Sequence, residues 1–241
     1  MKLVNWRLHV GEKGDVRFPK LTRFQLAVHL GGLAPLAWLL FDLWRDNLTV
    51  NPIQAVTLRT GKYALVFLIL SLGCTPLNTL FGFRPALKVR RALGLYAFLY
   101  SSLHFLIFIG LDYGFDLLLL REAIFEKPFA LVGFSAFLVL VPLATTSTRG
   151  WMRRLGKNWT RLHRLVYLAG FLVIVHYLWL VKADLRPPII YGTVMLALFV
   201  VRLTPLRKAI SLVRSASAYR AAIFFRRMLE SVRRNGPTLR N

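Results

Sequence analysis

Six uninterrupted apolar runs constrain this chain more than any other feature. They cover residues 24–41, 63–81, 92–111, 129–147, 165–181 and 189–206, and none contains an Asp, Glu or Lys. Each is about 17–20 residues long, enough at about 1.5 Å per residue to cross a hydrocarbon core of about 30 Å. Lipid offers no hydrogen-bond partners, so a continuous apolar run of this length must satisfy its backbone internally, as a helix. The expected fold is all-α: an integral membrane bundle of six transmembrane helices. The composition agrees, with 56% hydrophobic residues and a mean hydropathy of +0.52. Arg202 is the one fixed charge inside a run.

The net charge of +23 could suggest nucleic acid, but its distribution points elsewhere. With six crossings and an inner N-terminus, the inner segments are 1–23, 82–91, 148–164 and 202 to the end. They hold 26 of the 33 Lys and Arg, and only the acids Glu12, Asp15 and Glu230. The outer segments hold seven basic and seven acidic residues and so are neutral. Basic residues concentrate on the cytoplasmic side of membrane proteins, so both termini are expected there. No nucleic-acid partner is implied.

The chain reads as a cytoplasmic basic N-terminus (1–23), one membrane domain (24–206) and a cytoplasmic basic tail (207–241). No cleavable leader is expected, since the first apolar run follows more than twenty polar and basic residues. No internal repeat stands out. No glycine-rich nucleotide loop is visible, so a nicotinamide-dependent donor would be another protein. In the tail, Arg207, Arg214, Arg220, Arg227 and Arg234 recur at helical spacing, while Ile210, Val213, Phe224 and Met228 fall on another face. That pattern suits a helix lying on anionic lipids. Cys74 is the sole cysteine, read as a buried small hydrophobe.

Polar groups at membrane depth are expensive and mark functional sites. Here they are histidines. His104 lies 13 residues beyond Arg91 in the third run, and His176 lies 12 beyond Arg164 in the fifth. Both would therefore sit about 18–20 Å from the inner boundary, on helices running the same way. Two imidazoles at one depth can grip a planar iron macrocycle from opposite faces, which points to haem b. His163, 13 residues before His176, would lie near the inner face and leaves a second haem open. The corresponding position on the third helix is Arg91, so that haem would need another ligand. His29 could serve, but a lone His beside Gly31 and Gly32 is more often structural, and it is read so here. Trp151 and Trp159, among six basic residues in 148–164, could be interfacial anchors or could receive haem propionates or a flavin phosphate.

The stretches Arg90-Arg-Ala-Leu-Gly-Leu-Tyr to His104, Thr146-Ser-Thr-Arg-Gly-Trp, and Trp159-Thr-Arg-Leu-His-Arg to His176-Tyr-Leu-Trp resemble the MsrQ family, formerly YedZ. These are haem-binding membrane subunits of bacterial periplasmic methionine-sulfoxide reductase systems. The resemblance covers about residues 20–206. It implies a ferric-reductase-like transmembrane fold related to NADPH oxidases, whose members hold stacked haems with two His on the third helix and two on the fifth. His104, His163 and His176 match three of those positions, and Arg91 stands at the fourth. The resemblance further implies FMN on the cytoplasmic side, and electrons from the quinone pool or a cytosolic flavin reductase. It also implies a periplasmic molybdopterin partner, MsrP, and that the membrane is the bacterial inner (plasma) membrane.

The expected function is thus transmembrane electron transfer on haem b, with His104, His176 and His163 as candidate iron ligands. Substrate chemistry would belong to the partner. A ferric-chelate reductase is the alternative within the same chemistry, weakened by the lack of a fused flavin–nicotinamide domain. A small transporter or channel is the alternative of another class. No carboxylate within the six runs lines a path for it.

Overall fold

A computed structural model describes residues 21–203 apart from 182, together with the isolated positions 206, 210, 212 and 223. The surface helix expected in the basic tail otherwise lies outside the described residues. The helices are α1 (Arg23–Trp44), α2 (Pro52–Phe81), α3 (Pro85–Ile107), α4 (Leu117–Glu126), α5 (Pro128–Thr145), α6 (Arg149–Leu155), α7 (Lys157–Leu162), α8 (Leu165–Leu180) and α9 (Arg186–Val201). A π-helical turn, Phe108–Asp112, continues α3 four residues past His104.

Local chemistry sets the helix ends. Thr22 and Gln25 form a reciprocal capping box at α1. The Asn51 side chain accepts from the Gln54 N–H at 3.0 Å, and Pro52 opens α2. Gly82 ends that helix at φ 71°, a conformation that favours a residue without Cβ. Asp116 caps α4 and Thr148 caps α6.

Among the described residues, five segments are long and apolar enough to cross a membrane: Arg23–Trp44, Pro52–Phe81, Pro85–Asp112, Pro128–Thr145 and Lys157–Leu180. The sixth run forms α9, apolar but only 16 residues long, shorter than the roughly 20 a straight crossing needs. Two helices begin earlier than hydropathy alone indicates. α2 starts at Pro52, and its first turns carry Arg59, whose guanidinium meets Asp42 of α1 at 2.5 Å. That pairing buries Asp42 to 5% exposure, whereas the sequence reading left it in an outer loop. α3 starts at Pro85 and carries Lys88, Arg90 and Arg91 on its first turns. The segments between the apolar runs are not all irregular: 112–128 contains α4, and 148–164 contains the α6–α7 pair.

The two most extensive helix pairs are α2 with α3 and α5 with α8; α3 also packs on α5. Their core holds Leu65, Phe67, Leu68, Leu72, Ala97, Leu140, Ala169 and Met195. The outer surfaces remain apolar. Leu30, Trp38 and Leu40 of α1, and Ile190 and Leu196 of α9, are all more than half exposed. Such surfaces suit lipid as the surrounding solvent.

Tyr100, fully buried, ties α1 to α3. Its hydroxyl donates to the Gly32 carbonyl (2.8 Å) and accepts from the Leu36 N–H (3.1 Å). Those are the two groups an undisturbed helix would join directly, so the phenol is inserted into the ladder of α1 beside Pro35.

Candidate functional site

The structure brings His104 of α3 and His176 of α8 together. Their ring centroids lie 6.2 Å apart, with planes crossing at 77°. Each ring is held the same way. His104 Nδ1 donates to the Thr57 carbonyl of α2 at 2.8 Å, and His176 Nδ1 donates to the Phe129 carbonyl of α5 at 2.7 Å. A carbonyl can only accept, so each Nδ1 must carry the proton and each Nε2 keeps its lone pair. This is the tautomer and outer-shell bond found on histidines that bind metal.

The separation suits a shared metal. A ring nitrogen lies about 2 Å from a bound ion and the ring centre about 1.2 Å further, so rings opposed across one ion have centres about 6.4 Å apart. Among the described residues no group of three or more His, Cys, Asp or Glu could hold a metal ion. Two protein nitrogens alone suit an iron that brings its own equatorial nitrogens, as haem does. Phe105, next to His104 in α3, stacks on Phe137 of α5 with centroids 4.8 Å apart and lies tilted against Phe134 at 5.5 Å, so aromatic packing joins the two helices beside the histidine.

His163 is placed differently. It ends α7 at the break before α8, stacked on Trp159 with centroids 3.9 Å apart. Its Nε2 lies 3.2 Å from the Thr146 hydroxyl, which spends its own proton on the Pro142 carbonyl at 2.6 Å. His163 Nε2–H is therefore the donor and Nδ1 holds the lone pair. Trp159 Nε1–H donates to the Thr146 carbonyl at 3.0 Å and completes this corner.

His163 borders a cavity of about 560 Å³, together with Arg90, Arg91, Arg164 and Arg202. Among the described residues no Asp or Glu lines it. The Arg202 Nε–H is buried without a partner among those residues. A cavity of this size with four arginines in its lining and an unmet donor matches an organic ligand bearing acidic or carbonyl oxygens. Trp159 borders it too, whereas Trp151 does not and is half-exposed under Arg154.

His29 meets neither group. Its Nδ1 is 3.0 Å from the Tyr96 hydroxyl, linking α1 to α3. Hydropathy and depth did not reveal two glycines, Gly61 and Gly133, that face the paired imidazoles from the neighbouring helices. Their only sequence signal is glycine inside an apolar helix, where it needs a packing reason.

Residues 59–175 match the family model of the ferric reductase like transmembrane component. Curated relatives are more particular. The chain is 44% identical over 177 residues to the protein-methionine-sulfoxide reductase heme-binding subunit MsrQ of Xanthomonas euvesicatoria pv. vesicatoria, covering 71% of this chain and 81% of the relative. It is 45% identical over 182 residues to the protein of the same name from Rhodospirillum rubrum, covering 75% and 88%. The Xanthomonas campestris pv. campestris protein gives 44% over 175 residues, covering 70% and 80%. The chain belongs to the MsrQ family. No solved structure matches it.

Proposed function

We propose that this protein is the haem b electron-transfer subunit of a methionine-sulfoxide reductase system. The carrying observation is the pair of imidazoles, His104 and His176, centred 6.2 Å apart with both Nδ1 atoms donating to backbone carbonyls. The relatives' name, heme-binding subunit, supports the cofactor. His104 and His176 would ligate the iron through Nε2, their orientation fixed in advance by Thr57 and Phe129. Bound haem supplies reversible one-electron chemistry, and the protein supplies position and a dry surround.

The inner cavity is the electron-entry site. Arg90, Arg91, Arg164 and Arg202 would hold an acidic or carbonyl-bearing donor group, a quinone or the phosphate of FMN, beside His163. His163 is the ligand left to a second haem, which would need a partner other than Arg91. Electrons then leave on the outer side to a periplasmic molybdopterin reductase, MsrP, which repairs oxidised methionines. In this reading the chain lies in the inner membrane with both termini cytoplasmic. Residues 24–206 form the haem domain and the basic tail rests on anionic lipid.

The test is spectroscopic. Purified protein should show a Soret band that shifts on dithionite reduction. His104→Ala and His176→Ala should each remove the low-spin haem. His163→Ala should keep that spectrum and lose at most part of the haem, and His29→Ala should change content little. A colourless folded protein from haem-replete cells overturns the haem reading. Full haem retention in His104→Ala overturns the pairing.

A further inference from the structure

The two histidines are held by one device used twice. Thr57, Gly61 and His104 correspond to Phe129, Gly133 and His176 at a constant offset of 72 residues. In each set the carbonyl that binds Nδ1 lies 47 residues before its histidine. The glycine follows that carbonyl by one helical turn, on the same face of the same helix. The imidazole occupies the space where a side chain would stand. A Cβ built on Gly61 would meet His104 Nδ1 and Cε1 at 3.1 Å, and one built on Gly133 would meet His176 Nδ1 and Cε1 at 2.6 and 2.7 Å.

In membrane helices a glycine lets a neighbouring group approach the backbone closely, and here that group is an imidazole in both cases. Not every glycine in these helices is so placed: a Cβ on Gly73 of α2 would meet nothing within 4 Å.

We propose that Gly61 and Gly133 are positioning residues for the metal-binding imidazoles, setting how closely each ring lies on its carbonyl and so its angle to the iron. This rests on the haem reading above. The two slots are unequal. The contact at Gly61 can be relieved by a ring shift of a few tenths of an ångström, while the closer contact at Gly133 forces a larger displacement of the His176 ring that its bond to Phe129 opposes.

The experiment compares Gly61→Ala, Gly133→Ala and Gly73→Ala in the full-length protein, purified in detergent. It reads haem per protein, haem affinity by back-titration, and the ferric low-spin EPR signal; circular dichroism reports folding. Gly133→Ala should lose about 10–100-fold in haem affinity, as for loss of an outer-shell support. Gly61→Ala should keep its haem with an altered EPR anisotropy, and Gly73→Ala should match the wild type. If Gly133→Ala fails to fold, the EPR signal of Gly61→Ala decides. Wild-type haem affinity and EPR signal in both Gly61→Ala and Gly133→Ala overturn the proposal while leaving the haem reading intact. A wild-type protein without haem overturns both.

Discussion

The Arg202 guanidinium donates through Nη2 to the carbonyl of Leu72. That carbonyl needs an outside donor because Pro76, four residues on, has no N–H to offer it. The fixed charge of the last apolar run thus repairs a gap in the ladder of α2. The same side chain donates to the Tyr167 hydroxyl at 3.2 Å and lies over its ring, joining α9 to α8 as well.

Arg202→Leu should therefore destabilise the bundle by about 1–3 kcal/mol, the cost of a buried acceptor left unmet. Pro76→Ala restores a donor to Leu72, so the double variant should be more stable than the two single effects predict. Thermal unfolding in detergent of all four proteins measures the coupling. Strict additivity would show that Arg202 acts elsewhere.

Tyr100→Phe keeps the buried ring but removes the hydroxyl that bridges Gly32 and Leu36. A loss of about 1–3 kcal/mol is expected, with the haem spectrum unchanged because α1 does not carry the paired histidines. An unaltered melting temperature would mean that α1 closes its own ladder without help.

The rings of His104 and His176 cross at 77°. Nearly perpendicular axial imidazoles leave two iron d orbitals close in energy, so the ferric protein should give a strongly anisotropic low-spin EPR signal. An ordinary rhombic signal, typical of parallel rings, would show that the imidazoles turn when iron binds.

Thr146→Val removes the acceptor of His163 Nε2–H. Its effect should be confined to the inner cavity: weaker binding of a quinone analogue, with the spectrum of the haem proposed at His104 and His176 retained. Loss of that haem would mean the two sites are coupled more tightly than their separate hydrogen bonds indicate.

Cys74 is 5% exposed, and its thiol donates to the Leu70 carbonyl. Maleimide should label it slowly in the folded protein and rapidly in denaturant. Fast labelling of the native state would place α2 in a looser packing than described.

The sequence made the paired histidines legible because hydropathy marks each membrane boundary, and counting from Arg91 and Arg164 gives depth. The same counting could not find α4, α6 and α7. They are only 10, 7 and 6 residues long, and caps such as Asp116 and Thr148 define them more than an apolar period does. Asp42 was misplaced because its partner Arg59 lies 17 residues away, across a turn between helices. Gly61 and Gly133 were invisible for a related reason: the ring that each accommodates is 43 residues further along the chain.

Each half of the recurring contact supplies one imidazole, one carbonyl and one glycine, from one pair of antiparallel helices. Such a hairpin alone could offer an iron only a single axial nitrogen. Two identical hairpins related by a twofold axis would offer both, across an interface where each copy presents the same surface to the other. Here the α2–α3 and α5–α8 pairs each supply one such set, so a single polypeptide brings both nitrogens together without a second copy. The inner cavity lies between the two pairs, lined by Arg90 and Arg91 of α3 on one side and by Leu140 of α5, Val166 of α8 and the adjoining His163 on the other.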